Sequence, residues 1–126
     1  MDFGLTGHAA LVTGGGSGIG AAIALELATE GCDVAIVDRD GTTAQAVARQ
    51  IEARGRRAFA RAADVSDFAL AEVVVREVAA AFGRLDILVC SAGITDDALS
   101  WRMAEAQWNR VMAVNLKGCF NYARAA

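Results

Sequence analysis

Proline is absent from the 126-residue chain, so no ring-fixed turn or kink punctuates it, and its breaks are read mainly from glycine. Aromatic residues make up only 6% and charged residues 21%, against 55% apolar residues, a balance that excludes an intrinsically disordered chain. No uninterrupted apolar run approaches the ~20 residues that span a bilayer. The N-terminus also lacks the charged and then apolar pattern of a secretory signal. Both absences point to a cytoplasmic protein with no membrane partner. The net charge is −3 and the basic residues are scattered, which leaves no electrostatic footprint for nucleic acid. Arg54, Arg56 and Arg57 are the one dense basic group and read as a solvated turn. The cysteines Cys32, Cys90 and Cys119 are odd in number and lack metal-ligand spacing, so no metal is expected; they read as small buried apolar residues. His8, the single histidine, has no catalytic partner in view and reads as a surface residue. Linkers, repeats and low-complexity segments are missing too. One domain, large enough for a hydrophobic core, is predicted.

What is present is an alternation of strand-like runs and helix-like periodicity, the mark of α/β layering around a parallel sheet. Strands are predicted at Ala9 to Val12, Asp33 to Asp38, Arg57 to Ala62 and Asp86 to Cys90. A helix from near Gly18 to Gly31 carries Ile19, Ile23 and Leu27 on one face. A second, Thr42 to Arg54, buries Ala44, Val47, Ala48 and Ile51 and stops at Gly55. A third, with Ser66 as N-cap, turns Leu70, Val73, Val74, Val78 and Phe82 inward and stops at Gly83. A final helix runs unbroken from near Glu105 to Ala126. Right-handed crossovers then give a Rossmann-like doubly wound parallel sheet of strand order 3-2-1-4, incomplete at four strands.

The chain's richest signal is Thr13-Gly14-Gly15-Gly16-Ser17-Gly18-Ile19-Gly20, between the first strand and the first helix. Glycines there let backbone approach an anion at a helix N-terminus, where free N–H groups and the helix dipole attract it. The strict pattern G-x-G-x-x-G fails, because Ile19 or Ile23 stands where its third glycine belongs. The nucleoside-triphosphate loop fails as well, because Ala21 replaces its lysine. T-G-x-x-x-G-I-G fits. Asp38 ends the second strand 18 residues beyond Gly20, near the ~20 expected of an acidic residue that reads a ribose. A turn or cap role is its simpler alternative. Its carboxylate would accept from ribose hydroxyls and repel a 2′-phosphate, which favours NAD; Arg39 beside it keeps NADP open as the alternative.

With Asp64-Val65, Ser91-Ala92-Gly93 and Asn115 following in order, the chain resembles the short-chain dehydrogenase/reductase family over its whole length. The resemblance implies that Gly14, Ser17, Gly18, Ile19 and Gly20 hold the cofactor phosphates, and that Asp38 and Arg39 face its ribose. It implies further that Asp64 and Val65 hold its adenine, and that Cys90, Ala92 and Gly93 pass beside it. Cys90-Ser91 departs from the family's Asn-Asn at this point, and Cys90 cannot supply the same hydrogen bonds. Asn115 resembles the family's helix asparagine, which implies that it anchors a water in the proton relay; its apolar helical neighbours predict an inward-pointing amide, and bonding to local backbone is the alternative.

The family's general acid is a tyrosine with a lysine four residues later. Tyr122, the only tyrosine, has Ala126 at that place and lies in the helix of Asn115, so it is not that residue. The domain, residues 1–126, is expected to stop short of the catalytic tyrosine–lysine segment, and to bind cofactor without turnover. Within the family, Ala92 to Asp97, Trp101 to Met103 and Trp108 to Met112 look like the 3-oxoacyl-carrier-protein and acetoacetyl-CoA reductases. The implied reaction is hydride transfer between NAD(P)(H) and a carbonyl or secondary alcohol, an acyl thioester among the candidates. A homo-oligomer, tetramer or dimer, is implied for the full-length protein. Two other readings stand beside this one. The first is a non-catalytic nucleotide-binding or interaction module. The second is an S-adenosylmethionine-dependent methyltransferase, against which the loop spacing and Asn115 both count.

Overall fold

The computed structural model describes residues 1–126. Strands β1 (Ala9–Thr13), β2 (Asp33–Asp38), β3 (Ala58–Ala62) and β4 (Ile87–Cys90) form one sheet. All pairings are parallel, and the order is β3-β2-β1-β4, as the alternating pattern predicts. Helices α1 (Gly18–Thr29), α2 (Gly41–Ala53), α3 (Phe68–Phe82), α4 (Glu105–Met112) and α5 (Gly118–Ala125) flank it. No helix is long and apolar enough to cross a membrane.

Two cores follow from the strand period of two. Leu11 of β1 and Ala35 and Val37 of β2 face α3 and α5, where they meet Val74, Val78, Phe82 and Tyr122. Val12, Val34 and Ile36 point the other way, onto Ala24 and Ala28 of α1 and Val47 and Ile51 of α2. Each fully buried aliphatic side chain contributes about 1.5–3 kcal/mol by leaving water. Covered on both faces, β1 and β2 have no need of alternating polarity, which is why they read as continuous apolar runs.

Several expectations are corrected. The buried stripe of α1 is Gly20, Ala24 and Ala28, one residue on from the predicted face, and Ile19 is 77% exposed. At the start of α1 glycine wins because the helix lies close against the loop that leaves β1: a Cβ on Gly20 would come within 2.1 Å of the Gly14 carbonyl oxygen. Helix α3 is capped by Asp67, whose carboxylate accepts from the Leu70 N–H; Ser66 instead donates its hydroxyl to Asp64. With that start, α3 buries Ala71 and Val75 along with Val74, Val78 and Phe82, whereas Val73 is exposed and Leu70 half-buried. The predicted single last helix is split by a π-helical turn, Ala113–Lys117, between α4 and α5. Only Cys32 among the cysteines is buried; Cys90 ends the edge strand β4 and Cys119 lies on α5, both exposed.

The arginine group is no solvated turn. Asp33, 4% exposed at the start of β2, accepts from the Arg57 backbone N–H and from its Nε and Nη2, and pairs with Arg56. Burial alone would raise the Asp33 pKa, but these hydrogen bonds and the Arg56 charge outweigh it and hold the carboxyl below the ordinary range. Arg57 also donates to the Phe82 carbonyl at the C-terminus of α3 and lies over the Phe82 ring. Arg54 donates to the Leu25 carbonyl near the end of α1. Three arginines, of which Arg54 and Arg57 are exposed, thereby tie the start of β2 and the ends of α1 and α3 together.

Candidate functional site

Parallel strands all end on one side, and β1 is the point where the chain's crossovers change direction, to β2 on one flank and β4 on the other. A crevice opens between the loops that leave such a pair of strands. Here it is a cavity of about 320 Å³, walled by the glycine loop after β1, the β2 end, the segment after β3 and the segment after β4.

The glycine loop is held from two sides. Gly14 and Gly15 donate their N–H groups to the Val37 carbonyl, and Gly16 donates to Asp38 Oδ2 at 3.0 Å. Gly14 has φ +66°, and a Cβ there would stand 2.6 Å from Ala92 Cα. The loop therefore packs flat against the β4 exit only because its residue is glycine. Gly18 differs. Its φ is +55°, yet a Cβ would meet nothing within 4 Å, so the missing side chain keeps space open at the start of α1. The N–H groups of Gly18, Ile19 and Gly20 have no acceptor, and the Ser17 side chain makes no capping bond. Unpaired donors at the positive end of a helix dipole suit an anion.

Opposite this helix end, Asp38 presents its carboxylate. Oδ2 accepts from Gly16, and Oδ1 accepts from Asp40 N–H at 3.0 Å. Two of a carboxylate's roughly four lone-pair directions remain for other donors. Asp38 thus combines the turn role with an open face on the cavity, and Arg39 beside it lines the same wall.

The structure brings together nine of the predicted site residues on this wall: Gly14, Ser17, Ile19, Gly20, Asp38, Arg39, Val65, Ala92 and Gly93. Gly18 stands at the adjoining helix end. Ala63, Ser91, Ile94 and Val114 also line the cavity without having been foreseen, though each neighbours a predicted residue in sequence. Asp64 and Cys90 lie off the wall. Asp64 turns Oδ1 to the N–H and hydroxyl of Ser66, which lower its pKa. Cys90 faces Cys119, and partial desolvation of its sulfur beside that neighbour, although the residue as a whole is exposed, pushes its thiol up to about 11.

Asn115 sits in the π-helical turn and is exposed, contrary to the inward amide read from its apolar neighbours. The wider turn rotates it onto Ile94, whose N–H donates to Asn115 Oδ1 at 2.8 Å and whose carbonyl accepts from Nδ2 at 2.9 Å. Both bonds fix the backbone that follows β4 just beyond Gly93. Tyr122 is wholly buried in the α3–α5 core with its hydroxyl unpaired, and burial with the nearby Asp67 charge raises it to about 12. It takes no part in the cavity wall. His8 is half-buried at the far end of β1, with Nδ1 3.1 Å from the Leu5 carbonyl.

A glycine-lined crevice at the strand ends of a doubly wound parallel sheet, with a free helix N-terminus on one side and a carboxylate on the other, defines a Rossmann-like α/β fold. Comparison with known proteins narrows the class. The family model for short chain dehydrogenases matches residues 8–126, and the chain belongs to that family. It is 47% identical over 119 residues to the 3-oxoacyl-(acyl-carrier-protein) reductase FabG of Staphylococcus aureus strain Mu50, which covers 93% of the chain and 48% of that protein. A short chain dehydrogenase from Burkholderia cenocepacia, solved in complex with NADP, superposes with a TM-score of 0.93 at 45% identity over 97% of the chain and 50% of its own. One from Mycobacterium paratuberculosis, bound to NAD, has the same TM-score at 32% identity over the same shares. The chain spans about half the length of these proteins. The family consists of NAD(P)-dependent oxidoreductases.

Proposed function

We propose that residues 1–126 bind a nicotinamide adenine dinucleotide, NAD in preference to NADP, for an oxidoreductase acting on a carbonyl or secondary alcohol. The observation that carries this reading is the pairing across one cavity of three acceptorless N–H groups, Gly18 to Gly20, with the half-free carboxylate of Asp38. A diphosphate fits the first and a ribose diol the second, and a side chain at Gly18 would stand in the open space at the helix end. When bound, the nicotinamide supplies or accepts the hydride. The chain's own residues bind and orient. The N–H groups at the start of α1 hold the diphosphate, Asp38 accepts from ribose hydroxyls, Val65 packs on adenine, and Ala92 and Gly93 leave room beside the second ribose. Asp64 and Cys90 act from behind this wall, through Ser66 and through the end of β4. Asn115 holds the Ile94 backbone in register.

A dianionic 2′-phosphate would meet the Asp38 carboxylate at short range, and Arg39 alone would offset it, so NAD is favoured over NADP. The similarity to a 3-oxoacyl reductase supports a 3-oxoacyl thioester as the substrate class of the full protein. Leu116 and Phe120, 61% and 56% exposed on the π-helical turn and α5, support self-association. The overall charge of −3 gives no electrostatic attraction for nucleic acid.

Calorimetric titration of the chain with NAD, NADP and S-adenosylmethionine tests the reading. Binding is expected in the order NAD, NADP, S-adenosylmethionine. Tightest binding of S-adenosylmethionine, or no binding of either dinucleotide, would overturn it.

A further inference from the structure

The cavity wall at Val65 is held by a helix that contributes no residue to the cavity. Val65 follows β3, is 4% exposed, and presents part of its surface to the cavity. Its other side rests on α5. A Cβ built on Gly118 would stand 2.6 Å from Val65 Cγ2 and 3.0 Å from Val65 Cβ, so the Val65 side chain sits in the hollow that Gly118 leaves. One turn later Asn121, 2% exposed, donates from Nδ2 to the Val65 carbonyl at 2.9 Å. No backbone N–H donates to that carbonyl.

The Asn121 amide makes this one hydrogen bond, and its Oδ1 is buried and unpaired. A buried amide left half-satisfied is costly, and a residue serving packing alone would be apolar. The bond to Val65 is what the amide supplies. The same peptide unit is held at its other end by Ser66, whose N–H donates to Asp64 Oδ1, so Asn121 fixes it from the α5 side.

We propose that Asn121, with Gly118 beneath the Val65 side chain, is a positioning residue for the adenine end of the cofactor site. It touches no ligand; it sets the depth and angle of the apolar surface on which the adenine ring packs. The inference rests on the dinucleotide reading above and adds to it a contribution from α5.

The test compares 5′-AMP with ribose 5-phosphate, which share the ribose and phosphate and differ by the adenine. On the 126-residue chain, Asn121→Leu, which loses one buried hydrogen bond, is expected to weaken AMP about fivefold to tenfold, and Gly118→Ala, which pushes its Cβ against Val65 Cγ2, is expected to weaken it as well. Ribose 5-phosphate should bind as before. An equal loss for both ligands would mark Asn121 as merely structural, and an unchanged AMP affinity would also overturn the proposal. The unsubstituted chain gives a second readout that survives any misfolding of the variants. The Asn121 side-chain amide resonances should shift on titration with AMP and stay in place with ribose 5-phosphate. Unmoved Asn121 signals while the Val65 amide shifts would overturn the proposal and leave the dinucleotide reading standing. AMP that shifts neither residue would overturn both.

Discussion

Replacing Asp38 by alanine separates the two roles the structure gives this carboxylate. Oδ2 holds Gly16 and Oδ1 holds Asp40, each at 3.0 Å, so the substitution removes two charge-assisted hydrogen bonds from the backbone. Such bonds contribute about 1.5–3 kcal/mol each when fully buried. Asp38 is half-buried and Asp40 exposed, so water replaces much of the loss, and a fall of about 1–2 kcal/mol in stability is expected. A Cβ on Gly16 would stand 2.8 Å from Asp38 Oδ2, which shows how closely the loop follows the carboxylate. Loss of the two ribose contacts adds about 1–3 kcal/mol against NAD, roughly a 5- to 150-fold weaker dissociation constant. NADP loses the same scaffold but also escapes the repulsion of its 2′-phosphate, and Arg39 remains beside it. Its affinity should hold or improve. Calorimetric titration of both cofactors against both proteins reads the difference directly. An unchanged NAD affinity would reduce Asp38 to a turn residue. Equal losses for NAD and NADP would mean that it acts only by holding Gly16, and the ribose assignment would fail.

Other substitutions should divide folding from binding. Gly18→Val places its side chain in open space and strains a φ of +55°, so about 1 kcal/mol of stability should go while NAD binding disappears in a titration. Gly20→Ala drives a Cβ into the Gly14 carbonyl, so thermal melting should show a loss of about 1–3 kcal/mol, larger than that for Gly18→Ala. The Asp33 pKa is lower in the folded chain than in the unfolded one. Its contribution is therefore complete above the ordinary carboxylate range near pH 4 and is lost as pH falls below that range. Asp33→Ala should cost about 2–3 kcal/mol at pH 7, discounted for the exposed face of Arg57, and much less at pH 2 by denaturant titration. Asn115→Ala frees the Ile94 N–H and carbonyl, so faster hydrogen exchange at Gly93 to Thr95 is expected, with stability lower by about 1 kcal/mol.

The fold could be read from the sequence because its signals are local. A parallel sheet covered on both faces demands continuous apolar strands such as Ala9 to Thr13 and Asp33 to Asp38. The turns after α1, α2 and α3 demand glycine at 31, 55 and 83, all at positive φ. The loop from Thr13 to Gly20 announces its purpose because no residue but glycine tolerates its close approaches and left-handed backbone. Residue types and spacing alone thus determined the order of elements through β4, the α/β class, the glycine loop and the position of Asp38 at the end of β2.

What depends on direction was decided in three dimensions. Periodicity put Ile19 in the core, but the closeness of Gly20 to Gly14 selects the neighbouring face and sends Ile19 to the cavity rim. Apolar neighbours suggested that Asn115 points inward, but a π-helical turn, which shifts every later side chain, aims it at Ile94. Arg56 and Arg57 looked solvated until the fold placed Asp33 beside them from 23 and 24 residues away. The clamp of Gly118 and Asn121 on Val65 joins residues more than 50 positions apart. A hydrogen bond depends on distances of a few tenths of an ångström between groups that the chain separates. Spacing along the sequence gives which groups exist, and only the packed sheet and helices decide which of them meet.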